Sequence, residues 1–191
     1  MAAIDYSASA APEPSSGKPP WPRPDDTITL ARRAGIEPDR KEYLTYHIHA
    51  HLDVFVNGRA VTVPAALGIE VRDPGVQKFE DPGKATEYGG IEECAQACIA
   101  ALHTHGEDGV VHIEAPTRAD YRLGQFFELW NVRLTPTCVG GYCTPRAPVV
   151  VFVNGRRLRT DPADLVFEDG QEIAIVIGAP PKTIPREFAG E

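Results

Sequence analysis

The stretch YHIHAHLDVF, residues 46 to 55, places histidine at 47, 49 and 51 and aspartate at 53. This period of two constrains the fold more than any other feature, because successive side chains of a strand point to opposite faces. One face then carries His47, His49, His51 and Asp53, and the other carries Ile48, Leu52 and Val54. A single histidine here would read as the polar, solvated side of an edge strand. Three in register, half of the chain's six histidines, fit that reading less well. Sheet packing does not call for an imidazole row, and such a row concentrates metal-binding nitrogens.

The same run continues as HIHAHLDVFVNGRAVTVP, two alternating segments joined at Asn57-Gly58. Asn-Gly between β-rich runs is a strong hairpin signal, because both residues tolerate positive φ. CIAALHTHGEDGVVHIEAP predicts a second hairpin around 106–109, VVVFVNGRRLRT a third at Asn154-Gly155, and QEIAIVIG one further strand. The likeness of DVFVNGRAVTV to VVFVNGRRLRT predicts one hairpin unit reused at two edges of one sheet, or in two small sheets. DDTITLARRAGI predicts a short helix. TRADYRLGQFFELWNV has helical spacing, with Leu123, Phe126, Phe127 and Trp130 on one side, which points to core. The expected class is α+β, a mostly antiparallel β-sheet built of hairpins with one main helix. Residues 1–26, rich in Pro, Ala and Ser, form a disordered or loosely docked tail that Trp21 could pin. Residues 27–185 form a single metal-binding α+β domain and 186–191 a second tail. The segments 68–93 and 134–148 read as loops that could roof a cavity.

The second hairpin gives the histidine row its chemistry. A four-residue turn at 106–109 sets His105 opposite Val110 and His103 opposite His112, so His103, His105 and His112 converge on one face. Glu114 lies further along it. Three imidazoles fixed on adjacent strands offer a facial set of nitrogens to one ion and leave positions open for water or substrate. His47, His49 and His51 are candidates for a fourth ligand, for outer support or for a separate site. Asp53 and Glu114 are candidate catalytic carboxylates: ligands, groups that orient a histidine, or proton shuttles. The expected cofactor is one transition-metal ion; imidazole alone does not choose among copper, iron and zinc.

Composition narrows the partners. A net charge of -8 over 191 residues argues against nucleic acid or an anionic membrane, which want a basic surface. No apolar run is long enough to span a bilayer, and the N-terminus lacks the charged and apolar regions of a signal peptide. The sequence therefore predicts a cytoplasmic protein acting on a small molecule. In that compartment Cys94, Cys98, Cys138 and Cys143 are expected as free thiols, with a Cys138–Cys143 bridge as the alternative. The expected function is a metalloenzyme with a mononuclear histidine-rich site, an oxidoreductase acting on a small molecule. The alternatives are a zinc-type hydrolase or hydratase and a non-catalytic cytosolic buffer or sensor. A copper(I) carrier would want soft sulfur ligands, yet the only methionine is Met1.

The blocks HIHAHLDVFVNG, CIAALHTHGEDGVVHIEAP, LGQFFELW and VFVNG…IVIG together resemble a prokaryotic protein family that shares them. That likeness spans about residues 45 to 185, implies one domain and brings no activity with it. His51-Leu-Asp53 is similar to the HxD of 2-oxoglutarate oxygenases, and HTHGEDGVVHIE resembles the first motif of a cupin, both as likenesses of site chemistry. VNG…DGQEIAIVIG resembles the end of a ubiquitin-like sulfur carrier. The chain ends AGE where that family has Gly-Gly, so sulfur carriage is not expected.

Overall fold

A computed structural model describes residues 12–188 and 190, and in it the alternating runs are strands. In chain order the elements are α1 (Thr27–Arg33), β1 (Tyr46–Val56), β2 (Arg59–Val61), β3 (Gln77–Phe79), β4 (Glu87–Gly89), β5 (Leu102–His103) and β6 (Val110–Ala115). They continue with α2 (Leu123–Leu129), β7 (Cys138–Val139), β8 (Tyr142–Cys143), β9 (Val149–Val153), β10 (Arg156–Arg157) and β11 (Gln171–Ile177). The two Asn-Gly turns form as the sequence predicts. Asn57 and Gly58 have φ of 50° and 77°, and Asn154 and Gly155 have 49° and 72°. Positive φ at both central residues gives the turn the twist of its flanking strands.

Seven strands make the main sheet, in the order β10-β9-β11-β1-β6-β5 with β2 on the far end of β1. The two similar hairpins, β1–β2 and β9–β10, stand in this one sheet with β11 between them. The sheet is mostly antiparallel, as expected, but that central strand corrects its being built of hairpins alone. β11 pairs with β1 in parallel and with β9 antiparallel, so the sheet is mixed. A parallel partner must arrive by a crossover connection, and here the chain from β2 to β11 supplies it. The two expected helices both form, α1 in DDTITLARRAGI and α2 in TRADYRLGQFFELWNV, of 7 residues each. The segments read as loops hold two small hairpins, β3–β4 and β7–β8.

One face of the sheet is apolar. Ala50, Leu52 and Val54 of β1, Val111 and Ile113 of β6, and Ile173, Ile175 and Ile177 of β11 are buried in one cluster with Leu123, Phe126, Phe127 and Trp130. Trp21 joins that cluster, edge-on to Trp130 at 5.8 Å, and its carbonyl accepts the Trp130 indole N–H at 2.9 Å. The proline-rich segment from residue 12 is therefore docked where Trp21 pins it; residues 1–11 of the expected tail lie outside the described residues.

The four cysteines depart from the free thiols expected. Cys94 bonds Cys98 and Cys138 bonds Cys143. Cys138 and Cys143 are directly opposite in β7–β8, whereas Cys94 and Cys98 are buried in a satellite core with Ala66, Ile69, Ile91 and Ile99. No helix among the described residues is long and apolar enough to cross a membrane.

Candidate metal centre

The polar face of the same sheet carries the histidines. β1 and β6 run antiparallel with His49 opposite His112 and His47 opposite Glu114. β5 adds His103 opposite His112 on the other side. Directly paired residues share a face, so His49, His112 and His103 make one row of imidazoles across three strands. The His103–His112 pairing is the register that the four-residue turn predicts. The first row joins the second hairpin as a neighbour in one sheet.

His103, His105, His112 and Glu114 form the inner group, each with a ligand atom within 4.8 Å of the others'. His103 is fully buried. Its Nδ1–H donates to the Ala100 carbonyl at 2.9 Å, which turns the Nε2 lone pair toward His105 Nε2, also at 2.9 Å. Two nitrogens bound to one ion at about 2.0–2.1 Å stand about 3.3–3.4 Å apart at a tetrahedral angle and about 2.8–3.0 Å apart at a right angle. The pair is thus close to ligand spacing already.

The electrostatics suit this use. Burial, then the His105 imidazole, pushes the His103 pKa well below its ordinary value. Burial, then His112, takes His105 down to about 4. Both rings are neutral at physiological pH, the form that binds metal. For Glu114, burial acts upward, but His112 and then the surrounding imidazoles outweigh it and hold the carboxyl down at about 2. It is an anion at every working pH. Its Oε2 is buried with no hydrogen-bond partner, so an acceptor-only oxygen waits in the site.

An outer group of His47, His49 and His112 adjoins the inner one through His112. His47 Nε2 lies 2.8 Å from His49 Nε2 and 3.2 Å from Glu114 Oε1. His47 reaches the exposed edge of the patch.

His51 and Asp53 go elsewhere. They form a third group with Glu172 of β11, away from the cluster that the alternation alone would have them share. His51 Nδ1 meets Glu172 Oε2 at 2.9 Å and Nε2 meets the Asp108 carbonyl at 2.9 Å. Both partners accept, so both ring nitrogens donate. The hydrogen bond to Glu172, outweighing burial, accordingly raises the His51 pKa to about 9. A doubly donating imidazolium has no lone pair for a metal. His51 is therefore a cation between acidic groups in this arrangement, and Asp53, 3.7 Å from its Nδ1, is one of them. Burial is also the main cause that raises the Asp53 pKa.

Sequence reasoning missed Glu42 and Glu172. Glu42 Oε2 accepts from the Ile91 N–H at 3.2 Å, while Oε1 is buried without a partner. Both sit outside any histidine pattern, and only the docking of a loop or of β11 brings them in. β4 forms the roof: the Tyr88 N–H donates to the His105 carbonyl at 3.2 Å. Gly89 passes so close that a Cβ there would lie 2.5 Å from His105 Nδ1. The expected roof over an open substrate cavity is thus a tight cover. Five cavities of 240–640 Å³ open elsewhere on the described residues, and no histidine lines any of them.

Comparison with protein-family models, curated proteins and solved structures finds no match for this chain.

Proposed function

We propose that this chain is a transition-metal-binding protein whose primary ion is held by His103, His105, His112 and Glu114. The observation that carries the reading is the buried His103–His105 contact, two Nε2 atoms at 2.9 Å with the His103 tautomer set by the Ala100 carbonyl. Imidazole and carboxylate, with every cysteine held in a disulfide, favour a borderline divalent ion such as zinc, iron(II) or copper(II) over copper(I). Glu114 acts as a ligand in this reading. A carboxyl held at about 2 is a weak general base, since proton shuttles work best near the operating pH.

A metal-dependent oxidoreductase is the second reading, favoured by the exposed His47 edge, through which a small molecule could approach. The two disulfides support an oxidising compartment over the cytoplasm.

The test is metal analysis of untagged protein, then titration of the stripped protein with Zn²⁺ and Co²⁺. Tight binding is expected. His105→Ala should weaken the first equivalent by more than the roughly 10–100-fold that loss of an outer partner costs, with the apo protein still folded. Unchanged binding in His105→Ala would reject the site. Oxygen-dependent spectral change of the iron(II) form would support the oxidoreductase reading.

A further inference from the structure

The patch contains more ligand atoms than one ion uses, and they are arranged as two sets about one carboxylate. Resting on the metal-binding reading above, we propose that His47 and His49 hold a second metal ion beside the first, with Glu114 bridging the two.

Three features carry this. The outer group repeats the inner one: His47 and His49 bring their Nε2 atoms to 2.8 Å, as His103 and His105 do at 2.9 Å. Neutral imidazoles facing nitrogen to nitrogen make at best one hydrogen bond per pair, whereas a shared ion satisfies both lone pairs. Glu114 lies between the sets, with Oε1 3.2 Å from His47 Nε2 and 3.9 Å from His103 Nε2. The same oxygen, Oε1, thus faces both sets, and the buried Oε2 has no hydrogen-bond partner that would turn the carboxylate away from them. His112 belongs to both groups, its ring centroid 4.2 Å from that of His105 and 4.5 Å from that of His49. A common carboxylate suits two ions about 3.5–4 Å apart, the spacing of two-metal sites, with His112 a ligand to one of them.

Charge favours the same arrangement. Two dications need more than one anion nearby, and Glu42 supplies a second carboxylate. Across Gly89 its Oε1 faces His105: the position of a Cβ on Gly89 lies 3.5 Å from Glu42 Oε1 and 2.5 Å from His105 Nδ1. The inner ion is enclosed and the outer one lies toward the exposed His47 edge, so the outer ion should bind more weakly and exchange faster.

Titration of the stripped full chain with Cu²⁺, followed by electron paramagnetic resonance, tests this. One equivalent should give one full spin signal. The second should diminish that signal and bring in a half-field line, because two copper ions sharing a carboxylate couple magnetically. His47→Ala, at an exposed position, should stop at one equivalent with its spin signal intact; His49→Ala should do the same. Saturation of the wild type at one equivalent that His47→Ala and His49→Ala leave unchanged would overturn the second site and keep the first. A single equivalent abolished by both His49→Ala and His105→Ala would mean one shared ion, and would also overturn it. Two equivalents that give two full, uncoupled spin signals would refute the bridge. No binding at all would remove the proposed function itself.

Discussion

At the scale of single residues, His51 shows how one position in a periodic row acquires a different job. Its two ring nitrogens meet acceptors, and its ring stacks on Phe188 at 5.5 Å and 13°. With a pKa of about 9 in the folded chain, against about 6.5 unfolded, His51 binds its proton more tightly when folded. The stabilisation is therefore complete below about pH 6.5 and is lost as pH rises through about 9. It is worth on the order of 3 kcal/mol at most. Urea unfolding from about pH 6 to pH 10 should show that decline in the wild type and a flatter profile in Glu172→Gln. Equal slopes would exclude His51 as the cause. Gly89→Ala tests the cover over His105. The added methyl must displace either the imidazole or β4, so metal affinity should fall about 10–100-fold, as for loss of an outer support, although no ligand is removed. Isothermal titration of that variant measures it, and unchanged affinity would show that the cover yields.

Among the elements, β1 does most to organise the molecule, because its two faces serve different ends. Ala50, Leu52 and Val54 face the core, while His47 and His49 face the candidate site. A one-residue slip would exchange the faces, and pairing with both β6 and β11 along its length resists that slip. Helix α2 packs on the apolar side with Phe126 and Phe127 buried. Phe126→Ala should cost about 3–5 kcal/mol by leaving a cavity, yet leave metal affinity within a few-fold of wild type, because the site lies across the sheet. Chemical unfolding together with metal titration of this variant checks both halves. Loss of affinity in a still-folded variant would mean that core packing positions the ligands.

For the whole molecule, the disulfides tie the covering segments down. The Cys94–Cys98 loop is short, and closing such a loop stabilises by about 2 kcal/mol on the chain-entropy account. It anchors the segment that contacts Glu42 and β4. Thiol titration of native protein should find no free cysteine, and four after denaturation and reduction. Mild reduction should lower thermal stability. Four reactive thiols in protein kept under air would restore the cytoplasmic expectation.

Local chemistry was enough to foresee the three hairpins, the apolar stripe of α2 and the His103–His112 register, because turn residues and side-chain alternation act within a few positions. The same alternation put His47, His49 and His51 on one face and, by itself, gave no means of separating them. Their division depended on strands far away in the chain. β6 brings His112 and Glu114 beside His47 and His49, whereas β11 brings Glu172 beside His51. A parallel pairing across more than a hundred residues leaves no local signature, since its register is set by buried apolar contacts on the opposite face. The cysteine pairings and the approach of Glu42 and Gly89 likewise follow from where covering segments dock. Residue spacing could announce an imidazole-rich face; only the assembled sheet and its cover decided which nitrogens keep a lone pair for a metal.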